Sequence, residues 1–420
     1  MGVFTKGNII SFSTFFLIAI LVCNLNAVSN TLLGVKQVFS PLILVFSFII
    51  IFQTYYIKVW DWSIGTVFLF YLLHYPVGLV VRLYNEEELM YRLPIKEVFF
   101  QCATSLIIIY ALYKATAYFI SYNKLETLLN FSLIVFSFSL GMVIFCFFTG
   151  WTPVKGLVVD ERGGGFFANP NEAGTAANLA LTILMLKLLK DPNNNFIKVV
   201  LLPVFVLAAL VTFSKMSILI CGMLVFLFFT YSVLKSGKIK STNKSIVFTL
   251  LTIILLLGMS LYNNFDEFLT FLSPEQGQRI KGLLLLVVER EINENTTSER
   301  DVIARIAIDL IKSRPFLGYG FGFFQQGLDS SDHGVHNTHL QIIGETGIII
   351  YLVYLLSFAV LWVKAILAKD NGIGFVIILG TLVILANNIA SHNDLYNRVI
   401  NVYLGMICAM ATYYKAQVKV

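Results

Sequence analysis

Five of the chain's nine arginines fall in one polar stretch, Asn263 to Asn337, set between strongly apolar runs. Arginine presents a rigid, permanently charged fork that fits phosphate and carboxylate, whereas lysine offers a point charge. Anion chemistry is therefore expected in this stretch, and helical phase sorts its arginines. Ser298 to Ser313 reads as an amphipathic helix, with Ser298 as N-cap, Asp301 three residues on, and a buried stripe of Ile303, Ile306, Ala307, Leu310 and Ile311. Arg305 points away from that stripe, between Asp301 and Asp309 at i−4 and i+4, as a solvated ion-pair partner would. Arg300 lies on the edge of the stripe with Ala304 at i+4, faces inward, and is the better anion ligand.

Downstream, Pro315 to Gly322 is a turn rich in glycine and aromatics, including Gly318 and Gly320, and it leads to His336-Asn337-Thr338-His339-Leu340-Gln341. Thr338 and Gln341 have capping-box spacing, so a helix is expected to start there. The positive end of its dipole disfavours an imidazolium at His336, which leaves that side chain neutral near pH 7 and able to take a proton; the alternative is an ordinary polar loop residue. Glu345 lies two turns along the same helix, inside the apolar run, where an ionisable group is a functional candidate by default. Asp329, Asp332 and His333 match no defined metal spacing and read as solvated loop, so neither a metal nor a cofactor is expected.

Two shorter segments carry further candidates. In Asp160 to Glu172, Arg162 precedes three glycines ending at Gly165, and Asn169-Pro170 marks a turn into a helix that Asn171 can cap. Free N–H groups at that helix start, with Arg162 beside them, can cradle a phosphate; alternatively the segment is a plain re-entry turn with Arg162 held by Asp160 or Glu161. Lys215 stands alone in the turn Phe213 to Ser217, as an anion ligand or as a lysine snorkelling to headgroups.

The elements that must position these residues are membrane helices. With 57% hydrophobic and 13% charged residues and a mean hydropathy of +0.80, the chain is far too apolar for a soluble domain. About twelve apolar runs are long enough to cross hydrocarbon as helices: residues 8 to 29, 37 to 57, 62 to 83, 98 to 121, 127 to 150, 172 to 189, 196 to 213, 216 to 234, 246 to 264, 338 to 366, 372 to 391 and 398 to 415. The expected fold is all-α and polytopic: nine helices over residues 1–264, a large periplasmic loop over 265–337 and three helices over 338–420. The first run lacks a cleavage site and reads as a retained helix. Placing the N-terminus in the cytoplasm puts fifteen lysines, Lys114 and Lys187 among them, on the inner side against Asp61, Glu126, Asp191 and Asp370. Both termini are then cytoplasmic and every arginine lies outside. Cys23, Cys102, Cys146, Cys221 and Cys408 all sit in apolar runs without close pairs, which argues against a disulfide framework. The net charge of +6 reflects the inner lysines and points to the bilayer, not to nucleic acid.

As an ordered set, these residues resemble the bacterial O-antigen polymerase and O-antigen ligase family. The set comprises Arg162 with its glycines and Asn169-Pro170-Asn171, Arg300 fifteen residues before Pro315, Gly318 and Gly320, then His336-Asn337 leading into Leu340, Glu345 and Gly347. The first 150 residues resemble the family only in hydropathy. The resemblance implies a glycosyltransferase of the inner membrane with a periplasmic site, moving a glycan from undecaprenyl pyrophosphate to a sugar hydroxyl without nucleotide sugar or required metal. It implies that Arg162, Arg300 and Lys215 grip the pyrophosphate and that His336 orients or deprotonates the acceptor. Arg300 and Glu345 would share the catalytic site, and Gly165, Asn169, Asn171, Gly318, Gly320 and Asn337 would support it. A chain-length regulator is an implied partner. Two positions depart from the pattern: Lys215 stands where the family usually has arginine, and Ala304 where it commonly has an aromatic residue. A polymerase is the leading expectation and a ligase the alternative. A transporter of lipid-linked sugars is the rival of another class; against it, charge clusters in outer loops and no pair of broken helices repeats in two halves.

Overall fold

The structure is a computed structural model describing residues 6–35, 37–57, 60–85, 94–151, 164–167, 169–190, 195–234, 273–284, 294–325, 328, 334–368, 370–391 and 394–416. Every regular element among the described residues is helical, as expected where no water is at hand to satisfy an open backbone. The helices are α1 (Lys6–Val22), α2 (Leu25–Leu33), α3 (Ser40–Gln53), α4 (Trp62–Asn85), α5 (Ile95–Ser121), α6 (Leu125–Thr149), α7 (Pro170–Lys190), α8 (Asn195–Val211) and α9 (Lys215–Leu234). They continue with α10 (Pro274–Leu284), α11 (Glu294–Ser313), α12 (Thr338–Thr346), α13 (Ile348–Ile366), α14 (Asn371–Ala390) and α15 (Arg398–Ala416).

Among the described residues, seven helices are long and apolar enough to cross a membrane: α4, α5, α6, α7, α9, α13 and α14. The twelve expected runs divide for local reasons. The first breaks at Asn24, whose backbone is left-handed (φ 46°), so α1 ends at Val22. The runs at α3, α8 and α15 are apolar but yield shorter spanning stretches. The run 246 to 264 lies outside the described residues. The tenth is cut in two at Gly347, whose backbone (φ 85°, ψ 170°) only glycine adopts readily and where a Cβ would meet the carbonyl of Phe316. The break lets Ile348 N–H bond Pro315 O at 2.9 Å, which ties the start of α13 to the preceding loop.

The chain divides into two compact units. One comprises Met1–Val22, Val38–Ser132 and Ser298–Val420. In it α5 packs along α15, α4 along α13, and α1, α3 and α5 against one another. Asp61, just before α4, forms an ion pair with Lys364 in the last turn of α13. Lys114 corrects the sequence expectation: it is no loop lysine but is buried inside α5, donating to the carbonyl of Ile57. The other unit comprises Cys23–Gln37 and Leu133–Thr297. Its centre is α7, buried on nearly every face against α8 and α9, with Asn178 Nδ2 donating to Ser217 O at 3.0 Å. Lys187, also expected in a loop, is buried in the last turn of α7.

Candidate functional site

The first unit carries the part of the loop that holds Arg300 and His336. Most of the expected stripe of α11 is found: Ile303 and Ala307 are fully covered, with Leu310 and Ile311 packed beside them, while Ile306 is only partly buried. The helix starts at Glu294, so Ser298 lies within it and is not its cap. Arg305 is exposed, as its phase required, but Asp309 forms its exposed ion pair with Lys312 at 2.8 Å.

The turn after α11 is stitched into two helices of the same unit. Arg314 Nη1 donates to Asn85 Oδ1 at 2.9 Å, its guanidinium lies 4.8 Å from the centre of the Tyr319 ring, and the Tyr319 hydroxyl meets Ser313 Oγ at 2.6 Å. Tyr319 N–H then bonds Gly344 O at 2.8 Å, Gly320 N–H bonds Glu345 O at 2.9 Å, and Phe321 N–H bonds Gly78 O at 2.9 Å. Gly318 and Gly320 (φ 68° and 93°) are glycines of necessity: a Cβ on either would lie 2.5 Å from Gly344 O or from the backbone nitrogen of Arg82, respectively. The turn is thus held between α4 and α12.

Glu345 is the strut of this arrangement. It is fully buried, and its Oε1 accepts from Gly322 N–H at 3.0 Å. It lies in α12, ahead of the span that begins at Ile348. Burial pushes its carboxyl up to about 8, against the opposing pull of Gly322 N–H, Gln341, Gln325 and the Arg82 guanidinium. Its carboxyl is therefore mainly protonated near neutrality. Its neighbour Thr346 meets His74 Nδ1 at 2.9 Å, where the imidazole is surrounded by Phe70, Tyr75 and Phe321.

His336 is half-buried, and both its neighbours in sequence are fixed. Val335 is buried and its N–H bonds Phe324 O at 3.0 Å; Asn337 caps α12, its Oδ1 accepting from Leu340 N–H at 3.1 Å. The cap is thus Asn337, one residue before the expected Thr338, which instead donates from Oγ1 to Ser391 O at 2.9 Å. Val335 shares one core cluster with Ile303, Ala307, Tyr319 and Phe324. Arg300 lies one turn ahead of Ile303 on α11, so its backbone and that of His336 are carried by one packed cluster; its side chain lies outside the described residues, as do Asp329, Asp332 and His333.

The second unit holds the remaining candidates. Gly165 (φ 58°) approaches the backbone of Val143 so closely that a Cβ would be 2.8 Å from its nitrogen, and the following Phe166 and Phe167 are buried. Asn169 caps α7, its Oδ1 accepting from Glu172 N–H at 2.9 Å, with Pro170 as the first helical residue. Asn171 therefore lies inside the helix, where its carbonyl accepts from Thr175 Oγ1 at 2.9 Å. Lys215 is the partly exposed first residue of α9, after a left-handed Phe213 (φ 49°) and Ser214, whose Oγ accepts from Ser217 N–H at 3.4 Å. Arg162 lies outside the described residues.

Sequence reasoning missed Arg82, Asn85, Arg314 and His74. They are polar residues of α4 and, for Arg314, the position just after α11, and only the fold brings them to the glycine turn; the signal was polar groups inside or beside a membrane run, which is costly without partners.

These features describe a multi-pass membrane protein, helical throughout its described regular elements, whose glycine turn is tied to its helices. Residues 199–355 match a family model described as O-antigen ligase, a region that includes Lys215, Arg300, His336 and Glu345. Over this region the chain is similar to the O-antigen polymerase and ligase family, in line with the resemblance carried by its motifs. No curated protein matches the chain.

Proposed function

We propose that the protein is a polymerase of O-antigen or a related surface polysaccharide, working at the periplasmic face of a bacterial inner membrane with about twelve spans and both termini in the cytoplasm. The donor is a glycan on undecaprenyl pyrophosphate. A hydroxyl of the acceptor, a second lipid-linked glycan, attacks the donor's anomeric carbon. The new glycosidic bond forms as the bond to the pyrophosphate breaks, the hydroxyl proton passes to His336, and undecaprenyl pyrophosphate leaves. Arg162, Arg300 and Lys215 neutralise the charge that grows on the leaving group, which fixed cations achieve without a metal. His336 acts as general base, and a neutral imidazole is the form that can do so. Glu345, buried and clamping Gly322, serves the site by holding the turn. Gly165, Asn169, Asn171, Gly318, Gly320 and Asn337 shape the backbone around it. A chain-length regulator is its expected partner.

One observation carries the reading: α11, which bears Arg300, and the segment bearing His336 pack on the same core cluster, within the region that matches the family. The ligase, which hands the finished glycan to lipid A core, is the second reading, favoured by the description of the matched family. Deleting the gene separates them. A single repeat unit left on lipid A core means a polymerase; bare core with accumulated lipid-linked polymer means a ligase.

A further inference from the structure

Asp394 plays no part in the chemistry above. It opens the 3-10 turn (Asp394–Tyr396) that joins α14 to α15, and it is buried. A carboxylate removed from water is costly unless its lone pairs are filled. Asn387 Nδ2 donates to its Oδ2 at 2.6 Å, and Ser391 Oγ donates to its Oδ1 at 2.8 Å. The amide of Asn388, oriented so that its oxygen accepts from the Tyr354 hydroxyl, donates to Oδ2 at 3.0 Å. All three donors come from the last turn of α14 or the residue that ends it, so one side chain fixes how that helix terminates.

The fixed end has a direct consequence for α12. The carbonyl of Ser391 is the acceptor for Thr338 Oγ1 at 2.9 Å, and Thr338 is fully buried as the first residue of α12. His336 is two residues earlier. A second tie holds the same joint: the His339 ring meets Leu385 O at 3.1 Å and the Tyr351 hydroxyl at 3.2 Å, one helical turn from Tyr354. A purely apolar contact would bring α12 and α14 together as well, but it would not fix direction; a saturated carboxylate with three donors allows one arrangement.

We propose that Asp394 is a positioning residue for His336, acting through Ser391 and Thr338. The proposal rests on the assignment of His336 as the general base. Asp394 aims the start of α12, so that the imidazole meets the acceptor hydroxyl in line with the donor's anomeric carbon. Misplacing a reacting group by about 1 Å costs roughly 100-fold in rate.

The test uses full-length protein in lipid nanodiscs, with the lipid-linked repeat unit extracted from the producing strain. Asp394→Asn turns one acceptor atom into a donor facing other donors, and kcat falls about 100-fold with donor KM within about twofold of wild type. Thr338→Val, which removes only the hydroxyl link, lowers kcat at least tenfold. The double variant D394N/N387D exchanges amide and carboxylate and recovers at least tenfold over D394N. Wild-type kcat in D394N, a loss carried by KM, or a folded double variant no better than the single one overturns the proposal. If His336→Ala itself keeps full activity, the site reading fails first, and the two failures are told apart.

Discussion

Among the described glycines, Gly347 is the one whose Cβ would come nearest to another atom, and Gly347→Ala tests whether the break in the tenth helix is built in. At φ 85° and ψ 170° an alanine is held in a region that side-chain-bearing residues avoid, at a cost of about 1–3 kcal/mol. Its Cβ would also collide with Phe316 O, and relieving that contact pulls Pro315 from Ile348 N–H, a 2.9 Å bond whose loss costs about 1–2 kcal/mol. The sum, about 2–5 kcal/mol, is a large part of the net stability of a typical domain. Gly222 is the control: it lies within α9, where a Cβ would meet no other atom within 4 Å, so Gly222→Ala is neutral or slightly stabilising. Thermal unfolding of detergent-solubilised protein, read with abundance in the membrane, should show a clear fall for G347A and none for G222A. If both variants melt with wild type, the α12 to α13 break is not the constraint described.

Other consequences are simpler to state. The native state keeps a proton on Glu345 up to about pH 8, whereas an unfolded glutamate releases it near 4.5, so wild-type stability declines as pH climbs through that window. Glu345→Gln, which mimics the protonated form, removes that slope; melting curves at pH 5 and 8.5 that change in parallel for both proteins contradict the assignment. Arg314→Ala loses the Asn85 bond and the stacking on Tyr319 and destabilises by about 1–3 kcal/mol, and a double-mutant cycle with Asn85→Ala yields a coupling of about 1 kcal/mol or more. Additive effects in that cycle count against the link between α4 and the turn.

Much of this was legible in the sequence because hydropathy and helical phase are local. The runs at α4, α5, α6, α7, α9 and α14 were found within a few residues, and the stripe of α11 placed Ile303 and Ala307 inside and Arg305 outside. Caps were harder, since several residues near a helix start can accept the orphan N–H: Asn169 and Asn337 took the roles expected of Asn171 and Thr338. The break at Gly347 was hidden because the apolar run continues through it, while the contact that requires glycine comes from Phe316, far away in sequence. Lys114, Arg82 and Asp394 were assigned to loops or passed over for the same reason. Ile57 and Phe321, the partners of the first two, become neighbours only once the helices pack, whereas Asn387 meets Asp394 through the turn that ends α14.

The central claim is that Arg300 and His336 serve one glycan-transfer site, and it is tested most directly by giving the purified protein its undecaprenyl-pyrophosphate-linked repeat unit and following product length. Wild type should build a ladder of lengthened lipid-linked glycans with release of undecaprenyl pyrophosphate, and Arg300→Ala and His336→Ala, at equal abundance and equal melting temperature, should build none. A normal ladder from both variants would contradict the account.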